Sequence, residues 1–146
     1  MKNIQKITRV QLKINQVDEY FILGLVSAEP DYKLSLALNK KFTLSLKNIS
    51  PVRINEETQP DLAFSRFSYT NSSTGIVFSL VSNRSGKHYL LRKLKNVDFI
   101  LQVHDPESET NIDTLTSNLR QVESINAVFN IDLNTFKDKN LQYLTQ

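Results

Sequence analysis

The sequence predicts an α+β fold: a mostly antiparallel sheet with helices packed on it and one β–α–β crossover near the C-terminus. Three observations predict it. Hairpin-like strand pairs are segregated from helical stretches along the chain. Two apolar runs, Tyr20–Val26 and Val97–Val103, suit strands covered on both faces. A strand, an amphipathic helix and a strand follow one another in the last third, the pattern of a right-handed crossover. The chain of 146 residues is 40% hydrophobic and 23% charged, a globular composition, and one domain over residues 1–146 is expected.

The elements follow from local pattern. Val10, Leu12 and Ile14 alternate with polar residues, which reads as a half-buried strand, and Val17-Asp18-Glu19 reads as a turn into Tyr20–Val26. Ser27 and Pro30 then suit a helix start, and Leu34, Ala37, Leu38 and Phe42 fall at helical spacing, with Lys40 and Lys41 favouring the helix C-terminus. The spacing predicts a helix over 30–41 and a short strand over 43–46. Pro51, Pro60 and the polar run between them predict a long loop over 48–62. Phe64–Tyr69 and Ile76–Val81 read as a hairpin around Asn71–Gly75. A turn is expected over 82–87, and one or two helical turns at Leu90, Leu91 and Leu94. After the strand at 97–103, Asp105 is expected to cap and Pro106 to open a turn. Ile112, Leu115, Leu119 and Val122 mark a helix. Ile125, Ala127, Phe129 and Ile131 suggest a final strand, and Asn134 a cap for a short terminal helix carrying Phe136, Leu141 and Leu144.

Charge is unevenly distributed. Residues 62–97 hold six basic residues and no acidic one, whereas from Asp98 onward three basic residues face eight acidic ones. A basic stretch of this kind can meet phosphate, with Arg84, Lys87, Arg92, Lys93 and Lys95 as its contacts, and Phe64, Phe67, Tyr69 and Phe78 could stack bases. The competing reading, in which the charges balance within the molecule and the rings are core, is favoured. No glycine–aromatic run of the RNA-recognition type is present.

Chemistry-bearing motifs are sparse. There is no Cys, which excludes disulfides, thiolate metal sites and a Cys nucleophile. Asn83–Lys87 approximates the end of a P-loop, but Val81 stands at the first Gly position and His88 at the Ser/Thr position. His104, Asp105, Glu107 and Glu109 cluster in sequence, yet acids there suit a helix start better than a cation, so neither metal nor cofactor is expected. Asp98, inside an apolar strand, needs a hydrogen-bonded or charged partner, and a structural role outweighs that of a catalytic acid. No apolar run approaches the length of a membrane span, and polar residues interrupt the N-terminal segment, so a cytoplasmic protein is expected.

At Leu91 to Phe99 the chain resembles a bacterial family named for its motif Ile-Pro-Glu-x-x-x-Val-Asp-Tyr, the IPExxxVDY family. Val97 and Asp98 match the motif, Phe99 stands for Tyr and Leu91 for Ile, whereas Arg92 and Lys93 replace Pro and Glu. Tyr32–Phe42, with Leu36, Leu38, Asn39 and Lys40, is similar to the family's helix ending in Leu-Asn-Lys. Leu80–Ser85 is similar to its strand-end Ser-Asn segment, and Leu119–Leu144 to its C-terminal helix, strand and helix. The resemblance implies a stand-alone bacterial domain of unassigned activity and emphasises Asp98 and Asn39.

The functional expectation is a small, non-catalytic cytoplasmic binding or adaptor protein whose partner is another protein or a second copy. The alternative is nucleic-acid or phosphate-ligand binding through residues 62–97. An enzyme would have to use Asp98 or His104 as acid or base. Asp98, Asn39 and His104 thus stand as polar positions serving either function or structure.

Overall fold

Tyr20–Val26 forms strand β1, whose middle four residues are buried, as its unbroken apolar run requires. The computed structural model describes residues 20–54 and 62–144; the strand expected at Val10–Ile14 and the turn after it lie outside the described residues. Helix α1 (Asp31–Phe42) follows, burying Leu34, Ser35 and Leu38. Strands β2 (Lys47–Ile54), β3 (Leu62–Thr70) and β4 (Val77–Ser82) form an antiparallel meander. Two-residue strands β5 (Arg84–Ser85) and β6 (His88–Tyr89) make a separate small hairpin, turned by Gly86 at φ 59°. Then come β7 (Phe99–His104), helix α2 (Ile112–Arg120), β8 (Ala127–Ile131) and a 3₁₀ helix over Lys139–Tyr143.

Six of the described strands make one sheet in the order β2-β3-β4-β7-β1-β8, every neighbouring pair antiparallel. The fold is α+β, mostly sheet, as expected. Strands β7 and β8 both run antiparallel to β1 and are therefore parallel to each other, with α2 connecting them. The crossover is present, but β1 occupies the place between its two strands. Among the described residues no helix is long and apolar enough to cross a membrane.

Because side chains alternate along a strand, the sheet carries two cores. On one face Leu23, Leu25, Phe67, Leu80, Leu101 and Val103 meet Leu34 and Leu38 of α1 and Leu115 and Leu119 of α2. On the other, Ile22, Phe64, Val81, Ile100 and Ile131 meet Leu90, Leu91 and Val97 and the C-terminal Leu144. Each fully buried Leu contributes roughly 1.5–3 kcal/mol relative to exposure. Among the described residues the second face has no helix over it beyond the short 3₁₀ helix; irregular chain covers it. At Gly24 that cover sits so close that a Cβ would lie 2.9 Å from a Val97 methyl.

Several expectations change. Lys47–Ile54 is strand where a loop over 48–62 is expected: Pro51 lies in a register shift between Ile49 and Val52 of the outermost strand, where a missing N–H is tolerated. Residues 55–61 of that loop lie outside the described residues. The strand expected over 43–46 is absent, because Thr43 takes a left-handed conformation (φ 55°) and Leu46 spends its backbone on the Asn39 amide. Leu90–Leu94 makes turns of the i→i+3 kind instead of a helix. Asp105 does not cap α2; Asn111 does, accepting from the Thr114 N–H. Likewise Asp138, not Asn134, caps the terminal 3₁₀ helix. In β8 the buried residues are Val128 and Ile131, and Phe129 points outward, 43% exposed.

Candidate functional site

The basic stretch divides into two parts. Arg84 is held: its Nε lies 2.8 Å from Asp98 Oδ1, its guanidinium sits over the Tyr89 ring, and its terminal nitrogen reaches the Lys95 carbonyl. Asp98 Oδ2 accepts the Ser27 N–H at 2.9 Å, so each carboxylate oxygen has a partner. Both observations support the structural reading of Asp98. The pair ties the β5–β6 hairpin to the end of β1.

Beside it stands Asn83, fully buried. Its Nδ2 donates to the carbonyls of Leu94 and Val97, and its Oδ1 accepts the Leu91 N–H. Its own backbone bonds Asp98 and Leu90. One side chain thus replaces the hydrogen bonds a helix would have made over 90–97, which is why the leucine spacing there does not become helical. Asn140 adds a link from the C-terminal segment, donating to the Leu90 carbonyl at 2.6 Å. Asn39, the other polar position singled out, grips Leu46 at both its N–H and its carbonyl, and so fixes the exit of α1.

Arg92 and Lys93 are exposed and belong to the second part. Here the fold brings them beside Lys137 and Lys139 from the C-terminal segment, around a groove of about 540 Å³. Leu133, Phe136 and Leu141 form its apolar floor, and among the described residues Asp138 is its one acid. That carboxylate is already engaged by the Asn140 N–H. The Lys93 ammonium donates to the Lys137 carbonyl, which joins the two walls. Lys87 and Lys95 are exposed but do not line this groove. Lys137 and Lys139 were not singled out from the sequence, where Phe136 was read only as an apolar residue of a terminal helix; the lysines' one signal is that they flank an acid in an otherwise acidic third of the chain.

The aromatic residues of the β3–β4 hairpin are core, the reading favoured from the sequence over a stacking platform. Phe64 is fully buried, Phe67 is 7% exposed, and Tyr69 and Phe78 pack against the helical-face core.

His104 lines a second cavity, of about 290 Å³, on the other half of the irregularly covered face. Its ring lies 4.4 Å from that of Tyr20. Arg66 and Ser68 of β3, Ser79 of β4 and Gln102 of β7 complete the polar part of the wall. On these strands the inward positions change from apolar to polar partway along, and that change is the sequence signal for the cavity. Asp105, next to His104, turns away into its own loop. Burial opposes its charge, but N–H groups of Thr110, Glu109 and Glu107 outweigh that and hold the carboxyl below its ordinary value. Among the described residues no three His, Asp or Glu side chains gather as metal ligands. Comparison of the chain with family models, with curated proteins and with solved structures finds no match.

Proposed function

We propose that the protein acts by binding, in the cytoplasm, as an adaptor whose partner presents an acidic segment bearing apolar side chains. The observation that carries this reading is the groove in which Arg92 and Lys93 converge with Lys137 and Lys139 over Leu133, Phe136 and Leu141. Four cations and one already engaged carboxylate favour a negative partner, and the apolar floor gives side-chain anchors something to bury against. A nucleic acid is the second reading, because the same cations could meet phosphate. It is the weaker one, since the rings of the β3–β4 hairpin are committed to the core and leave no stacking surface there. A catalytic role for Asp98 loses its support once Arg84 and Ser27 hold both of its oxygens. Kinship with the IPExxxVDY family remains part of the proposal, supported by Val97 and Asp98 and by the structural duties of Asn39 and Asn83.

The test is fluorescence anisotropy with three labelled probes. These are a Glu-rich peptide containing Leu and Phe, a Glu-rich peptide of equal charge without them, and single-stranded RNA. The first should bind best, and Arg92→Glu combined with Lys137→Glu should weaken it about a hundred-fold, the effect of reversing two paired charges. Equal binding of both peptides would remove the role of the floor. Preference for RNA, with steep loss in salt, would replace the proposal by the nucleic-acid reading. Sedimentation of the chain alone reads whether a second copy is the partner.

A further inference from the structure

We propose that the cavity between β3, β4, β7 and the start of β1 is a binding site for a small organic carboxylate. It is separate from the basic groove and does not depend on it. The cavity, about 290 Å³, suits a ligand of metabolite size. Gln102 is the central observation. It is 6% exposed, it lines the cavity, and its amide makes no hydrogen bond to any described residue. Its amide atoms are not sealed from solvent but open onto the cavity, on the face of β7 where Ile100 is apolar and His104 lines the cavity beside it. An amide held in this way is suited to a ligand that brings its own donor or acceptor.

The other walls fix the charge and shape. Among the described residues that line the cavity, Arg66 carries the fixed positive charge and none is Asp or Glu. Its Nε donates to the Ser50 carbonyl at 3.1 Å, which orients the guanidinium and leaves the two terminal nitrogens as a planar fork. A planar fork of one positive charge matches a carboxylate, planar and singly charged, better than a tetrahedral dianion. The Ser68 and Ser79 hydroxyls lie 3.5 Å apart across β3 and β4, a pair able to turn toward a ligand oxygen. Val77, Ile49 and Leu144 supply apolar wall for a short carbon body.

The test is a ¹H–¹⁵N correlation spectrum of the whole chain titrated with isobutyrate, with inorganic phosphate and with the neutral isobutyramide. Isobutyrate should shift the amides of Arg66, Ser68, Ser79 and Gln102 saturably, and isobutyramide should leave them in place. Arg66→Gln should weaken isobutyrate about ten-fold or more, the effect of losing a charge-assisted pair. Arg66→Lys, which keeps the charge and loses the fork, should weaken it measurably as well. Ser68→Asp, a second variant at a half-exposed position, should abolish the shifts while the remainder of the spectrum stays folded. Phosphate binding at the same amides in preference to isobutyrate would overturn the carboxylate assignment. No saturable shift with either anion, or shifts confined to surface lysines, would overturn the site.

Discussion

The two faces of the sheet are covered by different means. On one face α1 and α2 lay leucines at helical spacing onto the strands, and hydrophobic contact holds the layer. On the other, chain without long regular structure is fastened by a few side chains that bond distant backbone: Asn83 to residues 91, 94 and 97, Asn140 to Leu90, and Asp98 to Ser27 and Arg84. Helical cover tolerates changes one residue at a time, because many contacts share the energy. Cover of the second kind concentrates its stability in a few polar atoms, and it is also the cover that carries both proposed binding sites.

The largest effect that can break this contrast is at Asn83. Replacing it by Ala strands two buried backbone groups, the Leu91 N–H and the Val97 carbonyl, at roughly 1–3 kcal/mol each, so a loss of about 4 kcal/mol is expected in urea unfolding. Hydrogen exchange should show Leu90 and Leu91 losing protection before the helices do. Leu119→Ala, in the helical face, should cost about 3 kcal/mol and leave peptide binding in the basic groove unchanged. Groove binding equally weakened by both variants would show that the two covers are one cooperative unit.

Next in size is Thr43, the β-branched residue in left-handed conformation after α1. Thr43→Gly should stabilise the protein by about 1 kcal/mol in thermal or urea unfolding, since glycine adopts that conformation without the steric penalty. A destabilised glycine variant would mean that the Thr side chain contributes more than its strain costs.

The smallest effect concerns Asp105. Its ionised form is favoured in the folded state, so its contribution is present above the ordinary pKa of 3.8 and is lost as pH falls through the lower, folded value. An Asp105→Asn variant should therefore be less stable than the parent at neutral pH and converge with it in acid, as read by unfolding midpoints across that range. Parallel curves at all pH would contradict the assignment.

Legibility in the sequence follows the same division. Tyr20–Val26 was readable as an unbroken apolar run buried on both faces, and the helix ending at Phe42, the hairpin around Asn71–Gly75 and the helix through Leu115 and Leu119 by their periodic apolar rows. Residues 84–97 were not, because Leu90, Leu91 and Leu94 have helical spacing while the backbone bonds that decide their conformation go to Asn83. Strand β2 was hidden by Pro51, which reads as a loop signal unless the strand is known to be outermost with a register shift. For the sites, Arg92 and Lys93 were visible as charge, but their partners Lys137 and Lys139 come from more than forty residues away. Gln102 was masked by the apolar run around it.

The position of β1 between β7 and β8 bears on how the chain is made. As it leaves the ribosome, the meander of β2, β3 and β4 finds all its own pairings within residues 47–82. Strand β1 emerges earlier yet has no neighbour until residues 99–104 arrive, and its second edge stays open until 127–131 follow. The first of the described strands to be made is thus among the last to be enclosed, and its exposed apolar edge through most of synthesis is where a nascent chain of this protein is most in need of a chaperone.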